Sequence, residues 1–159
     1  MAPVKISFQK NAYFFNITII KLSKNIQEPK TLLPLKNTPY NEISGGEQQL
    51  TFIARVLTQE PEILILDEPT SRLDFGNQIR TLNIIKNLSK KGLSIIMTSH
   101  FPDHAFISSH KVAIMKNKKF MEIGTPKDVI SSENMKSTYG INVKILDIGE
   151  RLACIPLNG

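Results

Sequence analysis

Four residues, Ile63-Leu64-Ile65-Leu66, constrain this chain more than any other stretch. They form a wholly apolar run with Pro61 before it and Pro69 after it. A run so short and uniform reads as a strand covered on both faces, the kind that parallel sheets are built from. The segments around it have helical spacing. Leu50, Ile53, Ala54 and Leu57 give residues 47–58 one apolar face, and Ile79, Leu82, Ile85 and Leu88 do the same for residues 76–91. Gly92 is a natural stop for the second helix, and residues 93–98 are a second apolar strand. Strand, helix and strand joined by a long crossover predict an α/β fold with a parallel sheet and flanking helices.

Beyond residue 98 the elements become short. Residues 111–116 and 119–123, joined through Asn117-Lys118, predict a hairpin. Residues 126–131 and 133–139 predict two short helices, and 143–147 with 152–157 a closing strand pair. This part is expected as a small C-terminal β-rich extension. Upstream, residues 24–38 are polar and proline-punctuated with no clean period. Residues 1–32 are therefore expected to be an atypical N-terminal segment and residues 33–159 the organised domain.

The 159 residues carry a formal net charge of +6, but the lysines are scattered apart from Lys90-Lys91 and the cluster from Lys116 to Lys119. Scattered lysines read as solvated faces, and no nucleic-acid partner is expected. Cys154 is the single cysteine, which excludes an internal disulfide or a cysteine-rich zinc site and reads as a small packing residue. The most apolar stretch, residues 12–22, is interrupted by Asn16 and Thr18 and falls short of the roughly 18 residues of a membrane span.

Three places carry chemistry. Ser44 and Glu47 have capping-box spacing at the start of the first helix. Gly45 and Gly46 between them are more than a cap needs. They leave backbone N–H groups bare at the positive end of a helix, where an anion can approach without meeting a Cβ. Asp67 and Glu68 follow the apolar strand, at the carboxyl edge where open α/β sheets place ligands. Asp67 suits a magnesium ion held through water, and Glu68 suits polarising an attacking water. His100, just past the second strand, suits a hydrogen bond to a terminal phosphate. His104 and His110 have no metal-site spacing and read as surface or packing residues.

Ile43-Ser44-Gly45-Gly46-Glu47, the strand ending in Asp67-Glu68-Pro69-Thr70, Ser71-Arg72-Leu73-Asp74 and His100 together resemble the ABC ATPases. The resemblance identifies them with that family's signature, Walker B, D-loop and switch-histidine motifs. It implies Glu68 and His100 as catalytic residues and Asp67 as the magnesium ligand. It also implies that Ser44, Gly45, Gly46, Glu47 and Asp74 contact ATP. The family usually has Gln at the position of Glu47 and Leu at that of Ile43. The text around the motifs is similar to the ATP-binding subunits of iron-siderophore, haem and cobalamin importers: Tyr40-Asn41-Glu42, Asp74-Phe75-Gly76-Asn77-Gln78, His100 to Ala105, and Gly124 to Gly140. The resemblance covers roughly residues 33 to 157. It implies the C-terminal portion of a P-loop NTPase fold, ATP and Mg2+ as ligands, a head-to-tail dimer with a second ATPase subunit, and membrane permease subunits as partners on the cytoplasmic face.

A phosphate-binding loop of the form G-x-x-x-x-G-K-[ST] is not found in these residues, because the first glycine is Gly45 and no later spacing matches. The expectation is a truncated or split ATP-binding subunit that offers a signature surface but does not cradle ATP by itself. Two other readings compete with it. A non-catalytic module would dock on an intact ATPase through the same surface. The C-terminal lobe of an SMC-like DNA-repair ATPase would require a heptad-patterned coiled coil ahead of Ser44, and residues 1–40 show none.

Overall fold

The computed structural model describes Leu35 and residues 37–157. The chain divides into two compact units, Met1–Glu62 and Ile63–Gly159. The boundary expected at residues 32 and 33, and the atypical segment before it, lie outside the described residues.

In the first unit a 3-10 turn at Tyr40–Glu42 leads into helix α1, Gly45–Leu57. The helix begins two residues before the apolar periodicity does, because Ser44 and Glu47 cap it and the two glycines form its first positions. Leu50, Ile53, Ala54 and Val56 are buried, so the face predicted from spacing is the covered one, although Leu57 is only partly buried.

The second unit opens with β1 (Ile63–Leu66), α2 (Phe75–Lys90) and β2 (Ser94–Met97). β1 and β2 pair in parallel with Leu64 beside Ile95 and Leu66 beside Met97. Asp74 caps the start of α2 by accepting the Asn77 backbone N–H, and Gly92, at φ +94, turns the chain away from its end. Thr81, Leu82, Ile85 and Leu88 form the buried stripe of α2. Leu82 is 0% exposed. Replacing it with alanine is expected to cost about 2–5 kcal/mol of unfolding free energy, read as a lower denaturant midpoint with an unchanged slope.

One expectation is corrected. β1 is not covered on both faces: Leu64 and Leu66 are buried, but Ile63 and Ile65 are 52% and 72% exposed. Among the described residues β1 pairs with β2 alone. Ile96, the registered neighbour of Ile65, is exposed on the same side. An unbroken apolar run records that both faces avoid water; it does not record whether these residues supply the cover.

The rest of the second unit follows the predicted order, with one helix added. Helix α3 (Pro102–Ser108) begins on a proline, which is favoured at a first helical position. β3 (Val112–Lys116) and β4 (Lys119–Gly124) form the hairpin, and Asn117 and Lys118 both have positive φ, as a two-residue I′ connection requires. α4 (Pro126–Val129) and α5 (Ser132–Tyr139) carry N-caps at Thr125 and Ser131. β5 (Val143–Asp147) and β6 (Leu152–Pro156) close the unit as an antiparallel pair. Ile114, Val129, Ile130, Met135 and Val143 make a buried cluster with Phe106, Ile145 and Cys154 packed on it. Burial holds the Cys154 thiol above its ordinary pKa, with Asp103 adding to the effect, as suits a packing residue more than a nucleophile.

Candidate functional site

The glycine pair in the first unit sits in a fully formed capping box. The Ser44 backbone N–H donates to Glu47 Oε2 at 2.7 Å, and the Ser44 hydroxyl donates to the same oxygen at 2.6 Å. The Glu47 N–H donates back to Ser44 Oγ at 3.3 Å. The Ser44 hydroxyl bond, and then its backbone N–H, hold the Glu47 carboxyl below its ordinary pKa. Ser44 and Gly45 are exposed, whereas Gly46 is buried. The helix start therefore presents two faces. The positive helix end and exposed Gly45 favour an anion, but the Glu47 carboxylate already holds the Ser44 hydroxyl. Gln48 braces the approach from behind, its side-chain amide donating to the Tyr40 and Ile43 carbonyls at 3.1 and 3.3 Å.

In the second unit the ends of β1 and β2 are joined by side chains. The Thr98 N–H donates to the Leu66 carbonyl at 3.0 Å, continuing the parallel ladder one step. The Thr98 hydroxyl donates to Asp67 Oδ1 at 2.6 Å and accepts from the Glu68 N–H at 2.9 Å. Glu68 stands at φ +42, where a residue with a Cβ is strained by about 1–3 kcal/mol. Three contacts hold it there: the Thr98 hydroxyl, the Ser71 N–H that donates to its carbonyl at 3.1 Å, and His100. His100 Nε2 lies 2.7 Å from Glu68 Oε1, with the His100 side chain 74% exposed.

The structure thus brings Asp67, Glu68 and His100 together at one edge of the sheet, open to solvent. Asp67 has one carboxylate oxygen engaged by Thr98. No group of three or more His, Cys, Asp or Glu side chains among the described residues is arranged to hold a metal ion. A single carboxylate fits a magnesium ion that keeps most of its waters, and Asp67 is the residue that would hold it through one of them.

Asp74 is used differently from the sheet-edge carboxylates. Its Oδ1 accepts the Asn77 N–H at 2.9 Å and its Oδ2 accepts the Asn77 side-chain amide at 2.6 Å. Those bonds, the backbone one first, hold its carboxyl below the ordinary carboxylate range. The loop from Ser71 to Asp74 is braced by Gln78, whose side-chain amide donates to the Thr70 and Leu73 carbonyls at 3.3 and 3.1 Å.

Spacing alone does not single out Thr98, Gln78 or His104. Thr98 has a weak signal, a hydroxyl at a strand end next to His100; Gln78 reads only as a polar position on a helix. His104, read from sequence as surface or packing, is 5% exposed and bonded to hydroxyls. His110 is exposed.

The ABC transporter family model matches residues 9–71, a span that starts within the undescribed N-terminal segment and runs through Ser44 to Glu47 and on to the residues after β1. An ABC transporter ATP-binding protein of Haemophilus influenzae is 38% identical over 107 residues, 67% of this chain and 41% of that protein. A hemin import ATP-binding protein of Aliivibrio fischeri is 32% identical over 129 residues, 79% of this chain and 50% of that protein. The chain therefore spans about half the length of the curated relatives it matches. Among solved structures, a metal-chelate type ABC transporter in an inward-facing conformation superposes with a TM-score of 0.76 at 23% identity, covering 96% of this chain and 70% of that one. At that identity the likeness speaks to the fold: α/β, of the ABC ATPase type.

Proposed function

We propose, for a chain that belongs to the ABC transporter family of ATP-binding proteins, that its 159 residues supply the signature side of a shared ATP site in an importer of a metal chelate. The observation that carries this reading is a contrast. Ser44, Gly45 and Gly46 form a capped, solvent-facing helix start, while the same residues hold no glycine loop to cradle phosphates. In the head-to-tail arrangement that the resemblance implies, each ATP lies between the phosphate loop of one subunit and the signature of the other. A complete subunit would bring the loop and its bound nucleotide; this chain would close over the outer phosphates.

Asp67, Glu68 and His100 are the residues that would face the second site of such a pair. Asp67 would hold magnesium through water, Glu68 would accept a proton from the attacking water, and His100 would hydrogen-bond the terminal phosphate. Phosphoryl transfer depends on holding the phosphate in line and neutralising its charge. These residues provide that set but no glycine cradle for the phosphates. The metal-chelate assignment rests on the text around the motifs and on the hemin import relative; iron-siderophore, haem and cobalamin are the candidate cargo classes. Membrane permease subunits are the further partners this reading requires. No helix among the described residues is long and apolar enough to cross a membrane.

The test is association. The purified chain is mixed with a complete ATP-binding subunit of a metal-chelate importer, made unable to hydrolyse ATP, and the mixture is followed by light scattering after gel filtration. A one-to-one complex is expected with magnesium-ATP and not with ADP. Tight magnesium-ATP binding by this chain alone would overturn the reading.

A further inference from the structure

We propose that His104 is a positioning residue, a buried link that fixes the loop after β1 to the loop after β2 and so brings Glu68 and His100 face to face. Its imidazole Nδ1 lies 2.9 Å from Ser99 Oγ and 3.4 Å from Thr70 Oγ1. Thr70 is two residues beyond Glu68, and Ser99 directly precedes His100. One ring nitrogen therefore touches both loops beside the two residues that form the 2.7 Å pair.

The protons can be followed. The Phe101 N–H donates to Ser99 Oγ at 3.1 Å, which leaves the Ser99 hydroxyl proton free to be donated to Nδ1. Nδ1 is then an acceptor, and the neutral ring carries its proton on Nε2. Burial favours this neutral form by holding the His104 pKa below its ordinary value, against the opposing pull of Asp103. The ring is fixed in other ways as well. Phe101 stacks at 4.9 Å between centroids with a 45° tilt. The Ser108 hydroxyl donates to the His104 carbonyl at 2.9 Å inside α3, so the link is anchored to a helix and not to a third loop.

The pairing needs such an anchor. His100 is mostly exposed, and Glu68 holds a positive φ that an untethered loop would relax. Thr98 already joins Asp67 and the Glu68 backbone at the strand ends. His104 adds a second tie, two residues beyond Glu68 and one residue before His100. Glu68 is thereby tied on both sides, by Thr98 at its own N–H and by Thr70 two residues on, while His100 follows directly on the two held residues Thr98 and Ser99. That Glu68 and His100 belong to a nucleotide site rests on the function proposed above; that His104 sets their pairing does not.

The test uses nitrogen-15 NMR of the histidine side chains in the full chain, without nucleotide. In the wild-type chain, E68Q is expected to shift the His100 imidazole nitrogen resonances, because the two side chains touch. In an H104L background, which keeps apolar bulk but removes the acceptor, that response is expected to be lost. In H104N, whose Oδ1 can stand where Nδ1 stands, it is expected to be retained. Should H104L fail to fold, S99A carries the same expectation in weaker form, a reduced response, since it cuts the shorter of the two ties. Retention of the full response in H104L or S99A would overturn the proposal. So would equal loss in H104L and H104N, which would reduce His104 to filling space. No response to E68Q in the wild-type chain would also overturn it. Failure of ATP-dependent association would leave all of these readouts unchanged, so the two readings fail separately.

Discussion

Replacing Gly45 with aspartate is expected to weaken ATP-dependent association with a complete subunit by about a hundredfold or more, while leaving this chain as stable as before. Gly45 is the first residue of α1, it is exposed, and it is not among the glycines with positive φ. Its backbone therefore accepts any residue, and what glycine provides is room for close approach. A carboxylate there sits at the positive end of the helix, which favours folding by about 0.3–1 kcal/mol. The same carboxylate would meet the ATP phosphates. Two like charges at 4 Å, in surroundings of effective dielectric near 20, repel by about 4 kcal/mol. Side-chain rotation and salt reduce that figure, and two decades of affinity are what should remain. Glu47 does not already impose this cost in full, because the Ser44 N–H and hydroxyl hold its carboxylate. Sedimentation of the mixed complex measures the affinity, and thermal unfolding of the single chain provides the control. Unchanged affinity would show that ATP does not reach this helix start.

The contrast between Gly45 and Glu47 also shows what can be read from the sequence and what cannot. Local chemistry was legible. Ser44 and Glu47 announce a capping box, Asn117-Lys118 a tight hairpin, and the 3.6-residue stripe through Leu82, Ile85 and Leu88 a packed helix. Each depends on residues within one or two turns of chain. What escaped was of two kinds. Helix α3 has only seven residues, too few for a periodic stripe, and its proline start reads equally well as a loop. The second kind is distant. Thr98 reaches Asp67 across 31 residues, and His104 reaches Thr70 across 34. Nothing in the spacing of a threonine or a histidine says which loop the fold will bring beside it. The exposed Ile63 and Ile65 belong with these: composition reports that a face is apolar, and only the fold reports what lies against it.

The second large effect should be an asymmetry between the two chains of the mixed complex. Changing the complete partner's own carboxylate at the position matching Glu68 to glutamine is expected to lower ATP hydrolysis by about two to four orders of magnitude, the range for loss of a positioned general base. Glu68→Gln in this chain is expected to change the rate by less than about twofold, since the base contributes only where a phosphate is held in line. The reason lies in how the parts are distributed. In the proposed complex the partner's phosphate loop and this chain's Ser44 to Gly46 would close on one nucleotide, and the base serving it would belong to the partner. Glu68 and His100 would face the other site, where these residues provide a positioned pair but no glycine cradle. Both variants replace a carboxylate with a carboxamide of nearly the same size, so the comparison separates loss of the base from a change in packing volume. Single-turnover hydrolysis with the two proteins mixed at equal concentration gives the rates directly. A fall of comparable size from Glu68→Gln would mean that a nucleotide is held on this chain's own side. The signature would then be only part of its contribution.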